Sequence, residues 1–220
     1  MASNLASIGF EFASSDQFQE QMLGLAVRAI ERLGCAAGDY VIWRSRTGAE
    51  IWFHLTVFGT EDDARDIAGL TPFFEGASEV ALEITGRLHR PDDNPFEGQL
   101  TAGLSNGSTI TFDAVDFATH ADRPLPFAGH ARLTAFAYAM RGIGDGEPAD
   151  AASTRLSGVI SDVRHLENEA TGGRFVAAQI DCGVATIDVV ADASIVPTGL
   201  GPGARIEIGC RLFGRLITEQ

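Results

Sequence analysis

The chain has 220 residues, enough for one large folded body or two modest ones, each with a real core. With 45% hydrophobic and 21% charged residues it is not a disordered tail, and no apolar run reaches the roughly 18 residues that a membrane-spanning helix needs. The net charge of −14 repels phosphate backbones, and all sixteen basic residues are Arg, which excludes lysine chemistry: a Schiff base, a pyridoxal phosphate anchor or a Walker-type P-loop.

The acid excess is spread along the chain. Residues 1–77 hold 11 acids and 5 bases, residues 78–150 the same, and residues 151–220 hold 8 and 6. Such a spread reads as a solubilising field rather than an interaction tail. Cys35, Cys182 and Cys210 are an odd number without motif spacing, which argues against a disulfide framework. Met1-Ala2-Ser3-Asn4-Leu5 lacks the basic start and apolar core of a secretory signal. A cytoplasmic protein is expected.

In chain order, Ile8 to Phe12 alternates as a strand would. Ser14 or Ser15 offers a helix N-cap, and Ser14 with Gln17 has capping-box spacing. Phe18, Met22, Leu25, Ala26, Ala29, Ile30 and Leu33 follow at helical spacing up to Gly34, a natural terminator. Tyr40–Arg44 and Ala49–Phe58 predict a hairpin around Arg46-Thr47-Gly48. Its second strand is largely apolar on both faces, as a strand covered on both sides would be. Charge breaks the pattern at 61–66, and after Thr71-Pro72-Phe73-Phe74-Glu75-Gly76 only strand-like runs remain. They are 80–90, 98–104, 109–115, 131–141, 156–165, 174–181, 185–190 and 204–217, with a Gly- and Asp-rich linker at 142–148.

Residues 78–141 and 154–218 read as two copies of one pattern. Thr111 to Val115 aligns with Thr186 to Val190, Ile84 and His89 with Ile160 and His165, and Ala131-Arg132-Leu133 with Ala204-Arg205-Ile206. Asp113 and Asp188 fall at matching positions in this alignment. The strand order resembles the OB fold, a small Greek-key barrel. Gly158, Gly172-Gly173 and Gly183 make the second copy the better match, while the first equally suits an open sheet. The expected fold class is α+β, mostly β. An N-terminal βαββ unit (1–77) precedes two OB-like or related antiparallel β modules (78–150 and 151–220).

The βαββ order, with Ile8-Gly9-Phe10 opening it and Gly48-Ala49-Glu50-Ile51-Trp52 on a later strand, resembles half of a glyoxalase-like (vicinal oxygen chelate) module. In that family a His or Glu on the first strand and a Glu on a late strand bind a divalent metal. The resemblance implies Glu50 as a ligand. Ser7 stands where the family's His is expected, leaving Glu11 or His54 to substitute. Gly48 to Trp52, Thr71 to Gly76, Ile187 to Asp192 and Phe213-Gly214-Arg215-Leu216 also resemble a family of bacterial proteins with no assigned activity, a resemblance that transfers no site.

Elsewhere, His89 precedes the acid-rich turn Arg90-Pro91-Asp92-Asp93-Asn94-Pro95, which suits a hard cation or an ordinary surface turn. His120, Asp122 and His130 flank another Pro-containing loop without tetrahedral zinc spacing. No nucleophile elbow, HExxH helix or dinucleotide-binding Gly pattern is present. The third module has only Phe175 and Phe213 as aromatics and more acids than Arg, too little for stacking single-stranded bases. The expectation is a non-catalytic binding or assembly protein that presents a β surface to a protein or small ligand, without cofactor. A homodimer is expected from the two-faced apolar strand Trp52–Phe58. A metal-dependent glyoxalase-like enzyme is the alternative, and a single-stranded nucleic-acid binder the third.

Overall fold

The computed structural model describes residues 4–57, 65–89, 94–142 and 154–217. The protein is α+β and mostly β, as the strand-like runs require. Its N-terminal order differs from βαββ. Residues 6–8 form a 3-10 turn closed by Gly9 (φ +81°), and no strand forms over Ile8–Phe12. The alternation there serves burial instead. Ile8 and Phe10 are buried, Phe10 meets Trp43 edge-on and Phe12 meets Phe18. Gly9 and Gly173 sit backbone against backbone, where a Cβ on Gly173 would lie 2.0 Å from the Gly9 carbonyl oxygen.

Helix α1 (Ser15–Arg28) starts where its cap chemistry says it should. Gln17 N–H donates to Ser14 Oγ (3.2 Å), and Gln17 Oε1 accepts from Ala13 N–H (2.7 Å). It ends before Gly34, because Ala29 turns extended (ψ 131°) and Glu31–Cys35 becomes β1, hairpinned to β2 (Gly38–Arg44). Strands β3 (Ala49–Val57) and β4 (Arg65–Phe74) complete a four-stranded sheet in the order β1-β2-β3-β4. β4 carries Pro72 and Gly69 and lies on a sheet edge, where a residue without N–H is tolerated.

The rest is one closed barrel of β5 (Val80–Leu88), β6 (Gln99–Gly103), β7 (Thr109–Ala114), β8 (Phe127–Gly142), β9 (Thr154–Glu167), β10 (Arg174–Asp181), β11 (Thr186–Asp192) and β12 (Arg205–Ile217). A four-residue helix, α2 (Phe117–His120), follows β7. The barrel order is β10-β11-β8-β5-β6-β7-β12-β9, with β8 and β12 also paired across it. Each half repeats one pairing scheme. β5-β6-β7 is an antiparallel meander whose first strand pairs with β8 and whose last runs parallel to β12. β9-β10-β11 is the same meander, paired with β12 and running parallel to β8. Each half therefore closes on the final strand of the other.

The bulges fix the residue correspondence. Thr85 bulges from β5 and Ser161 from β9, and each hydroxyl reaches across its ladder, to the carbonyls of Thr101 (3.4 Å) and Gln179 (3.3 Å). Phe136 pairs with Arg211 while Thr134 pairs with Phe213, so Phe136 corresponds to Phe213. These two rings touch at 4.8 Å, beside a local twofold axis. Asp113 lies beside Phe213 and Val190 beside Phe136. Asp113 thus matches Val190, and Asp188 matches Thr111, two residues from the alignment read in the sequence. By the same register Ala131 corresponds to Ile208 rather than Ala204.

Two apolar cores follow. One fills the barrel with Leu82, Ile84, Phe112, Leu133, Ile180 and Leu212. The other joins the four-stranded sheet to the outside of the barrel through Tyr40, Trp52, Phe53, Phe136, Phe175 and Phe213. The strand expected to be apolar on both faces is β3, with Ile51, Trp52, Phe53 and His54 all buried. Its coverage comes from within the chain, which removes the sequence motive for a dimer. Phe58 and the 142–148 linker beyond Gly142 lie outside the described residues.

Candidate functional site

β3 carries Glu50, Trp52 and His54 on one face, because alternate residues share a face. Glu50 has no exposed surface. Its Oε1 accepts from Arg44 Nε (2.5 Å) and its Oε2 from Trp52 Nε1 (2.7 Å). Glu75, just past β4, accepts from Arg215 (3.1 Å) and forms ion pairs with Arg44 (3.0 Å) and Arg132 (3.4 Å). Arg132 and Arg215 are ladder partners on β8 and β12, so their two positive charges are neutralised by acids from the sheet. Burial pushes the Glu50 carboxyl up, against the opposing pull of Trp52 and the guanidiniums. Burial also acts on Glu75, but Arg215, Arg44 and a hydrogen bond with Glu50 outweigh it and hold Glu75 below its ordinary range.

His54 is equally enclosed. Phe96 N–H donates to Asn94 Oδ1 (3.1 Å), which turns the Asn94 amide nitrogen toward His54 Nδ1 (3.2 Å). Nδ1 therefore accepts, and Nε2–H donates to Thr71 Oγ1 (3.2 Å). The ring stacks on Phe96 (5.1 Å) and meets Tyr40 edge-on. Burial lowers its pKa to about 4, so it is neutral at pH 7.

At about 3.3 Å per residue, Glu50 and His54 stand about 13 Å apart along β3, whereas ligands of one zinc ion each lie about 2 Å from it. Glu11 is exposed on the segment before α1. The three sequence candidates are not brought together. Among the described residues no group of three or more His, Cys, Asp or Glu is arranged to hold a metal ion. The acid-rich turn after His89 lies largely outside the described residues, and His89 itself contacts the Glu97 carbonyl through Nδ1 (2.9 Å).

A cleft of about 940 Å³ opens where the β1 edge of the sheet faces α2 and the end of β12. Glu31, Leu33, Trp52, Asp116, His120 and Arg215 are among its walls. Asp116 Oδ2 accepts from Leu216 N–H (3.0 Å) and contacts His120 Nε2 (3.2 Å). Its Oδ1 is buried without a hydrogen-bond partner among the described residues. Cys35, also on the cleft, is held protonated by burial, so it is not an activated nucleophile. The sequence reading named His120 but missed Asp116; their spacing of four on one helical turn was the available signal.

Exposed apolar residues concentrate in the stretch from α1 to β1. Of eight exposed large hydrophobic residues among those described, four fall in one stretch: Leu23, Val27, Ile30 and Leu33. Leu23 and Val27 lie one turn apart on α1, away from its buried Met22 and Leu25, and Ile30 is 98% exposed. The row runs in sequence into β1, an edge strand whose only ladder partner among the described residues is β2. Glu31 through Gly34 are all exposed. Leu23 and Val27 fall off the spacing that identifies α1, which is why periodicity passed over them.

Comparisons with protein-family models, curated proteins and solved structures find no match to the chain. No helix among the described residues is long and apolar enough to cross a membrane.

Proposed function

We propose that the protein is a non-catalytic binding protein that receives a partner chain on the β1 edge and the apolar row of α1. The observation that supports this is the run of exposed apolar residues Leu23, Val27 and Ile30 that leads along α1 to Leu33 on β1, a sheet edge with no second ladder partner among the described residues. Folded chains bury or scatter such residues, and contiguous apolar patches mark interaction sites. An open edge offers backbone N–H and C=O groups to a further strand.

The metal-dependent reading has less support. Glu50's oxygens already serve Arg44 and Trp52, and His54's nitrogens serve Asn94 and Thr71. The nucleic-acid reading is disfavoured by the acidic field. The cleft, with the unpartnered Asp116 Oδ1, is where a small ligand would sit. A cytoplasmic setting, where cysteine thiols stay reduced, belongs to this reading.

A photo-crosslinking residue at Val27, activated in the producing cell, is expected to give discrete adducts of defined mass. The same residue at Val184, exposed on the barrel, is the control and is expected to give none. A Val27 pattern identical to the control would overturn the docking reading.

A further inference from the structure

We infer that the cleft between β1 and α2 binds a small primary amine in its ammonium form, with Asp116 as the acceptor. This rests on the cleft as the small-ligand site and is independent of the chain docked on β1. Four side-chain polar atoms are buried without a hydrogen-bond partner among the described residues: Gln21 Oε1, Ser78 Oγ, Arg87 Nε and Asp116 Oδ1. Of these residues only Asp116 lines this cleft, and only Asp116 carries a carboxylate. A buried acceptor left unpaired costs free energy, and more when it is charged; a donor brought by a ligand removes that cost. Asp116 is 3% exposed, and its Oδ2 is already engaged by Leu216 N–H and His120 Nε2. Oδ1 is therefore the oxygen that a ligand N–H would meet.

The walls favour a cation over an anion. Arg215 is matched by Glu75 (3.1 Å) and Glu50 (3.8 Å), and Glu31 by Arg44 (3.2 Å). Arg123 lies over the Phe127 ring (3.9 Å), next to the exposed Asp122. Among the described residues Asp116 has His120 as its ion-pair partner and no Arg. The field of a chain with a net charge of −14 adds to the preference for a cation. The enclosure of Oδ1 then selects the head group. A primary ammonium has a slim tip with three N–H donors, whereas a quaternary ammonium is bulky and has none. Leu33, Ala118 and Ile217, also on the walls, suit a short alkyl body.

Titration of the full-length chain with pentylammonium, followed by amide-proton NMR, tests the proposal. Pentanol, pentanoate and tetramethylammonium are the counterparts, and the Leu216 amide, bonded to the same carboxylate, is the reporter. Pentylammonium is expected to shift the Leu216 resonance saturably, and the counterparts are expected to leave it in place. Asp116→Asn keeps an acceptor for Leu216 N–H and should weaken binding by roughly tenfold or more. Asp162→Asn, on β9 outside the cleft, removes the same charge and should leave binding unchanged. No saturable shift with pentylammonium at millimolar concentration overturns the proposal. So does an equal shift with any counterpart, because charge or apolar filling alone then accounts for it. If Asp116→Asn does not fold, the wild-type series decides by itself. Pentylammonium binding without a Val27 adduct supports the cleft site and overturns the docking reading alone.

Discussion

Glu50→Ala is expected to lower stability by about 3 kcal/mol, the usual penalty for breaking a buried ion pair by removing one partner. The loss strands two donors at once. Trp52 Nε1–H is buried and has Glu50 Oε2 as its acceptor, and Arg44 keeps only Glu75 and the more exposed Glu31. An unsatisfied buried donor costs about 1–3 kcal/mol by itself. Glu50→Gln keeps an acceptor for Trp52 Nε1–H at nearly the same size, so a smaller loss of about 1 kcal/mol is expected. Urea unfolding of the two variants checks the difference. Equal losses would mean that Glu50 acts through its charge alone rather than through the hydrogen bonds it completes.

The second large effect is a pH dependence set by His54. Burial brings its folded-state pKa down to about 4, against about 6.5 in an unfolded chain. Between these values the unfolded chain binds more protons, so stability is complete above pH 6.5 and drains as pH falls toward 4. About 2 kcal/mol of this loss falls between pH 7 and pH 5. Glu97 Oε1, 3.8 Å from Nδ1, is more than half exposed and does little to offset it. His54→Gln should be less stable than the wild type at pH 7, because it loses the stacking on Phe96 and Tyr40. Its stability should nevertheless change less between pH 7 and pH 5. If the two slopes are parallel, His54 is not the titrating group.

The parts of the fold that the sequence carries locally were legible in it. Ser14 and Gln17 mark the start of α1 because a cap is a contact between near neighbours, and β3 shows its two-sided coverage in its own residues. The end of α1 was not legible. Ile30 and Leu33 keep helical spacing, yet pairing with β2 converts 31–35 to a strand. β4 was hidden because it follows the charged break at 61–66 and contains Gly69 and Pro72, and Pro72 is tolerated because the strand is an edge. The repeat was visible as an order of strands. Its register was not, because a bulge at Thr85 or Ser161 shifts a ladder without leaving a mark in the sequence. The site divides in the same way. Glu50 stands out as an acid in an apolar strand, but Glu75, Arg132 and Arg215 reach it only through the docking of the sheet on the barrel. That docking also turns the two-faced apolar strand from a dimer surface into a core, and moves the exposed apolar surface to α1 and β1.

Hydrogen exchange along β1 is the most direct measurement of whether a second chain pairs on this edge. The amides of 31–35 that point away from β2, every second one along the strand, are expected to exchange more slowly when a partner chain is bound and to lose that protection in Leu33→Asp. Exchange in β2 and β3 should be the same in both proteins. Fast exchange of those outward-pointing amides, in the purified chain at every concentration and in cell extract, would contradict an edge that is covered by a partner.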